Sequence, residues 1–324
     1  LSVWDMFCRK PGTIYNGHTG NSACDHYHRY AEDVDLMQSL DLQAYRFSIS
    51  WPRVIPAGTG AVNPKGLDFY DRLVDALLAA RIKPYVTLFH WDYPFDLYRR
   101  GGWMNPDAAD WFADYTAVIV KKLSDRVSHW MTLNEPQCFI SLGHYEAKHA
   151  PGDQVAFPLA LQAAHHALVG HGKAVQAIRA FTALPAKIGY APVGITFIPA
   201  TSSQADINAA RQRMFTVTPT SFWNNTWWSD PIFLGRYPED GLKAYGQDAP
   251  VVKPGEMEII AQPLDFYGVN IYQGSRVRAG ENGQPEDVPY EPGWPMTMMY
   301  WHNSPEALYW GPKFLYERYQ KPIY

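Results

Sequence analysis

The chain has 324 residues, 47% of them hydrophobic and only 19% charged, with a formal net charge of -4. That is material for one large α/β barrel or two ordinary domains; it argues against disorder and, without a basic stripe, against a nucleic-acid partner. No apolar run reaches the length that spans a bilayer, and no signal peptide opens the chain, so no membrane partner is expected, although Leu1 is not an initiating Met and the start reads as cut.

After an irregular opening, apolar runs alternate with amphipathic segments. Leu42–Trp51 is rich in strand formers. Asn63–Ile82 sets Leu67, Tyr70, Val74, Leu77 and Leu78 on one helical face. Lys83–Asp92 reads as a strand. Asn105–Val127 reads as a helix, with Asn105 as N-cap, Pro106 in the first turn, and Asp107 and Asp110 near the positive end of the dipole. Trp111, Tyr115, Val118 and Ile119 share its inner face. A strand starts at His129 and ends abruptly in Asn134, Glu135 and Pro136. Helix follows over 158–182, strand over 186–195, helix over 204–228 and strand over 263–274. The Gly/Pro/Glu-rich stretch 279–295 reads as a long loop, and 305–319 as a last helix.

This alternation predicts a parallel sheet with helices outside it. No glycine fingerprint of a dinucleotide-binding open sheet is present, so a (β/α)8 barrel is the better reading. Polar residues cluster at the strand ends: Arg46 and Ser48, then His90, Trp91 and Asp92, then Asn134 and Glu135, then Asn270 and Tyr272. In a barrel those ends meet at one mouth, where catalytic groups sit.

A carboxylic acid at such a mouth is a candidate general acid/base. Asn134, His90, Asn270 and Tyr272 can bond hydroxyls, and Trp51, Trp91 and Trp103 offer ring faces. The chain carries 12 Trp and 21 Tyr, and rings with one polar edge suit the C–H faces of sugars. Together these groups suit a carbohydrate. The bland alternatives are an ion-paired Glu135, a structural Arg46 and a core His90. His26, His28, His165, His166 and His171 lack a spacing that sets three ligands on one face, so no metal is read from them. Cys8, Cys24 and Cys138 are scattered and odd in number. They form neither a disulfide framework nor a zinc cluster, and a reducing cytoplasm is the expectation.

The blocks "YRFSISWPRVIP", "TLFHWDYP", "TLNEP", "HAPG", "WSDPIFLGRYP", "DFYGVNIY" and "RYQKPIY" resemble, in order and over essentially the whole length, those of the retaining β-glucosidases of glycoside hydrolase family 1. The resemblance implies that Glu135 is the acid/base, that Asn134 binds the sugar 2-OH and His90 its 3-OH, and that Trp91 forms wall around that subsite. It also implies that Arg46 and Tyr272 hold and tune the nucleophile, with Asn270 a polar neighbour. The expected substrates are small β-linked sugars such as cellobiose, or aryl β-glucosides, with no metal or organic cofactor. Glu rather than Gln at 135 separates the chain from the family's plant thioglucosidases.

The departures are as informative. The family's first strand, with its sugar-gripping Gln, does not appear. Its nucleophile motif, Thr-Glu-Asn-Gly, is expected after Tyr324, and the later glucose-binding loop beyond that. The expectation is therefore a single catalytic barrel domain over 1–324, incomplete at both ends, covering strands two to six and the start of strand seven, and inactive alone. Gln137 stands where the family commonly has an aromatic residue on the leaving-group side. Two rivals remain at this point: a non-catalytic sugar-binding protein on the same fold, and a 6-phospho-β-glycosidase. The sequence does not speak to oligomeric state.

Overall fold

The computed structural model describes residues 1–324. Strands β1 (Ala44–Ser48), β2 (Lys83–Phe89), β3 (His129–Asn134) and β4 (Lys187–Ala191) run parallel in sequential order. Main-chain bonds extend this sheet by two positions. Gly268 and Asn270 donate to the carbonyls of Tyr190 and Pro192 at 2.9 and 3.0 Å, which seats residues 265–270 beside β4. Tyr324 donates to the Tyr267 carbonyl and Val269 to that of Tyr324, both at 2.9 Å, which seats the last residues beside those. Six sequential parallel positions with helices between them are the winding of a (β/α)8 barrel, as the sequence predicts. The stretch 263–274 is thus a barrel position held by isolated bridges rather than the continuous strand predicted.

The strands form because β-branched and aromatic residues fit a pleated surface buried on both faces, as in the Tyr85–Phe89 run of β2. Gly189 in β4 is required by packing: a Cβ there would stand 2.1 Å from the Phe266 ring of the next position. Helix Pro64–Ala79 starts on Pro64 and buries Phe69, Tyr70, Leu73, Val74 and Leu77, whereas Leu78, predicted on that face, points outward. Helix Ala108–Leu123 begins three residues beyond the predicted cap. Asn105 instead accepts the Asp107 N–H at 2.9 Å, closing a turn that leads into the helix. Helix Phe157–Phe181 follows β3 and is buried on nearly every side. No helix is long and apolar enough to cross a membrane.

Three further expectations need correction. The opening is not irregular. It holds helix Val3–Arg9, closed by a Ser2/Asp5 capping box, and helix His26–Ser39. The latter buries only Val34, so it carries no apolar stripe to read. The predicted helix 204–228 is two helices, Gln204–Phe215 and Thr226–Leu234, and the second is buried all round and holds Pro231. The predicted loop 279–295 contains a strand. β5 (Thr196–Pro199) pairs parallel with β6 (Gly274–Ala279), which forms a hairpin with β7 (Pro285–Val288). This small sheet flanks the barrel mouth beyond β4.

Candidate active site

The polar strand ends converge on one carboxylate. Glu135 follows directly on β3 and is 4% exposed. Its N–H donates to the Ala191 carbonyl of β4 at 2.8 Å, and its φ of 45° lies in the left-handed region. That conformation costs a non-glycine residue about 1–2 kcal/mol. It turns the side chain off the strand direction and into the mouth. Trp91, at the end of β2, shares the feature with φ 78°. The Trp91 indole N–H donates to the Asn134 carbonyl at 2.9 Å, tying the two strand ends together.

One carboxylate oxygen of Glu135, Oε1, accepts from Asn270 Nδ2 and from the Tyr272 hydroxyl, both at 2.8 Å. The other, Oε2, accepts from the Cys138 thiol at 3.3 Å. Arg46 reaches across from β1. Its Nε donates to Thr87 Oγ1 at 2.9 Å, and its terminal nitrogens donate to Asn270 Oδ1 at 3.0 Å and Asn134 Oδ1 at 2.6 Å. Asn134 is fully buried. Its Oδ1 also accepts from Asn270 Nδ2 at 2.9 Å, and its Nδ2 lies 3.2 Å from His90 Nε2. Arg46, Asn134, Glu135, Asn270, Tyr272, His90 and Trp91 are therefore one connected network.

The electrostatics follow from that crowding. Burial lowers the Arg46 pKa below its ordinary value, against the opposing charge of Glu135. Enclosure by its neighbours and then the Arg46 charge pull His90 down to about 4, although the residue keeps an open outer side. Its imidazole is neutral at pH 7 and can both donate to and accept from a hydroxyl. Burial of the hydroxyl, then the Glu135 charge and the bond to it, push the Tyr272 phenol well up. The Cys138 thiol is raised for the same reasons and stays protonated, a donor to Oε2. Arg46 and His90 face a cavity of about 620 Å³ together with His26, Asp33 and Tyr45. Tyr272 faces another of about 250 Å³ with Trp223 and Trp301, and its ring lies 5.0 Å from that of Trp301.

Several sequence readings change here. Trp51 and Trp103 are not ring platforms: Trp51 is fully buried against Tyr115, and Trp103 is packed against Phe139 and Phe89. Tyr272, expected beside the nucleophile, also bonds Glu135. Gln137 does not line a leaving-group surface. It is fully buried, its Nε2 donating to the Val193 carbonyl and its Oε1 accepting the Val193 N–H, both at 3.2 Å. Asp92, the other carboxyl at a strand end, makes no hydrogen bond to the network, and burial pushes it up to about 7. Cys138 was not singled out. Its signal was the spacing of three from Glu135 in a chain turning into a helix, with the Cys138 N–H donating to the Glu135 carbonyl at 2.9 Å. Trp223 lies in the connection that interrupts the predicted helix 204–228, and Trp301 stands in a stretch that offers no periodicity to place it.

The arrangement can hold and move one proton on a buried carboxylate beside several groups that read hydroxyls. With this geometry the comparisons agree. The profile of the family described as Glycosyl hydrolase family 1 matches residues 1–324. The chain is 41% identical over 319 residues to a 1,4-beta-D-glucan glucohydrolase of Thermotoga neapolitana, covering 98% of this chain and 73% of that protein. It is 41% identical over 322 residues to Beta-glucosidase A of Thermotoga maritima, covering 99% of this chain and 70% of that protein. The solved beta-glucosidase from Thermotoga maritima in complex with glucoimidazole superposes with a TM-score of 0.87 at 40% identity, covering 100% of this chain and 72% of that one.

Proposed function

The chain belongs to glycosyl hydrolase family 1, and from that premise we propose that it is a retaining β-glucosidase releasing terminal glucose from cellobiose-like oligosaccharides or aryl β-glucosides. Glu135 is the acid/base. As a carboxylic acid it protonates the departing glycosidic oxygen, and as a carboxylate it then takes a proton from the water that releases the sugar. The observation that carries this is the Glu135 carboxylate itself, buried at the end of β3 with Oε1 fixed by Asn270 and Tyr272. Two donors on one oxygen leave Oε2 as the atom that carries the proton toward the leaving group.

Asn134 reads the sugar 2-OH, a bond expected to strengthen as charge develops at the anomeric carbon. His90 reads the 3-OH and Trp91 walls the same subsite. Retention needs a second carboxyl about 5–5.5 Å from the first. The three hydrogen bonds of Arg46 all go to neutral side chains, which leaves its charge available to that nucleophile. We place the nucleophile outside residues 1–324. Its identity is open to a direct check: a 2-fluoro glucoside that traps the intermediate, followed by digestion and mass spectrometry, is expected to label no residue from Leu1 to Tyr324. Three free cysteines support placing the enzyme in a reducing cytoplasm.

The test of the acid/base role is Glu135→Gln, which keeps the shape and removes the proton. General acid–base help is worth about 10²–10⁴ in rate. Cellobiose, with a poor leaving group, should lose activity on that scale, and a dinitrophenyl glucoside, whose leaving group needs no proton, far less. Equal losses on the two substrates would exclude Glu135 as the acid.

A further inference from the structure

A second cleft lies on the other side of β6 from the active site. Along this strand Gly274 and Ser275 line the cavity that holds Tyr272, whereas Arg276 faces a separate cavity of about 510 Å³. Its floor is the end of β5, with the hydroxyl residues Thr201 and Ser202. Its walls are Tyr290, Trp294 and Trp310, and Arg276 and Glu306 flank it.

Two features separate this cleft from an accidental gap. The first is that two of its rings are pinned by their polar ends. Tyr290 donates its hydroxyl to the Gly274 carbonyl at 2.7 Å, and the Trp294 indole donates to the Asn303 carbonyl at 2.9 Å. The two rings lie 5.2 Å apart, so they are held in place before any ligand arrives. The second is that the charges are unspent. Arg278, two residues along the same strand, is paired with Glu286, whereas Arg276 forms no salt bridge and only lies 6.0 Å over the Tyr290 ring. Glu306 likewise has no side-chain hydrogen bond or ion pair. The two opposite charges share a cleft without pairing to each other.

We propose that this cleft is a non-catalytic carbohydrate-binding site, taking a neutral oligosaccharide independently of the active site. Ring faces take the C–H surface of a pyranose. A guanidinium and a carboxylate bond hydroxyls more strongly than neutral groups do, one donating and the other accepting. The balanced charge selects against ionic ligands, because Glu306 repels an anion and Arg276 a cation. The volume lies within the range of ligand pockets, about 300–1,000 Å³. Bound there, a glucan chain would keep the enzyme near its substrate without occupying the mouth.

The experiment is affinity electrophoresis of the full-length protein in native gels cast with and without hydroxyethyl cellulose, a neutral soluble β-1,4-glucan. The protein should be retarded in the glucan gel, and Glu135→Gln should be retarded equally. The double variant Arg276→Ala/Trp310→Ala should raise the apparent Kd about tenfold or more. Its hydrolysis of an aryl β-glucoside and its melting temperature should stay unchanged. Should the double variant melt early, Arg276→Gln alone, at a side chain with no hydrogen-bond or ion-pair partner to lose, must still weaken retardation. No retardation of the parent protein, equal retardation of the Arg276 and Trp310 variants, or displacement of the glucan by inorganic phosphate would each overturn the proposal. The first two would leave the reading of Glu135 untouched.

Discussion

The strand ends and the helix Phe157–Phe181 both bury polar side chains, and they do so in opposite ways. On the helix, each imidazole has partners of its own, although Nε2 of His171 is buried without one. His165 lies 2.9 Å from the Tyr237 hydroxyl and 3.0 Å from Glu256. His166 meets the Trp103 carbonyl at 2.9 Å and Gln162 at 3.1 Å. His171 meets Thr132 at 2.6 Å. At the strand ends no group has partners to itself. Asn270 serves Arg46, Asn134 and Glu135 at once, and the shared network opens on two cavities. Burial alone therefore does not mark a site. A site is marked by shared partners and an open side, which is what lets an incoming hydroxyl replace one bond without orphaning the rest.

The comparison can be broken first at Arg46. Arg46→Lys cannot reach Thr87, Asn134 and Asn270 together, since an ammonium lacks the planar fork. Loss of kcat/KM on the order of 10²–10³ is expected, the scale of removing one preorganised donor. A loss of under tenfold would mean that the network is not organised by its cation. On the helix the same kind of change should act on stability instead. His165→Ala leaves the Tyr237 hydroxyl and Glu256 without their partner, and should lower unfolding free energy by about 1–3 kcal/mol while kcat/KM holds. Denaturant titration beside steady-state kinetics separates the two outcomes.

A pH series sharpens the contrast. Burial pulls the His171 pKa from 6.5 down to about 3. Below pH 6.5 the unfolded chain therefore binds a proton that the native state refuses. The His171 contribution is fully present above that value and is lost as the pH falls toward 3. Melting temperature should drop across this window, and His171→Gln should flatten the drop. The smallest effect is expected at Cys138. Its thiol makes one weak bond to Oε2 of Glu135 at 3.3 Å, so Cys138→Ala should lower kcat/KM only about two- to fivefold, the scale of a weak bond worth about 0.5–1 kcal/mol. A purely structural cysteine would change the melting temperature and leave kcat/KM in place.

Those same residues explain what the sequence could and could not tell. An apolar run that ends in Asn134, Glu135 and Pro136 announces a strand whose tip does something else, and seven of the nine strand-end residues named from that logic lie in one network, Ser48 and Asp92 being the exceptions. The barrel was legible because its period of strand and helix is long and regular. The helix His26–Ser39 was not, because a helix that buries one residue has no stripe. Trp51 and Trp103 were misread because composition counts rings without saying which way they face. The bonds of Cys138 and Gln137 depend on the left-handed turn at Glu135 and on the approach of residue 193, and neither leaves a periodic trace.

The buried amide of Gln137 has a consequence for the protein's evolution. It acts as a surrogate peptide group, giving and taking one hydrogen bond with Val193. An aromatic replacement would strand both main-chain partners, at about 1–3 kcal/mol for each buried group left unsatisfied. Position 137 is therefore epistatic with the backbone around 193. An aromatic ring cannot be set there by a single exchange; the loop that receives the amide must change in the same step.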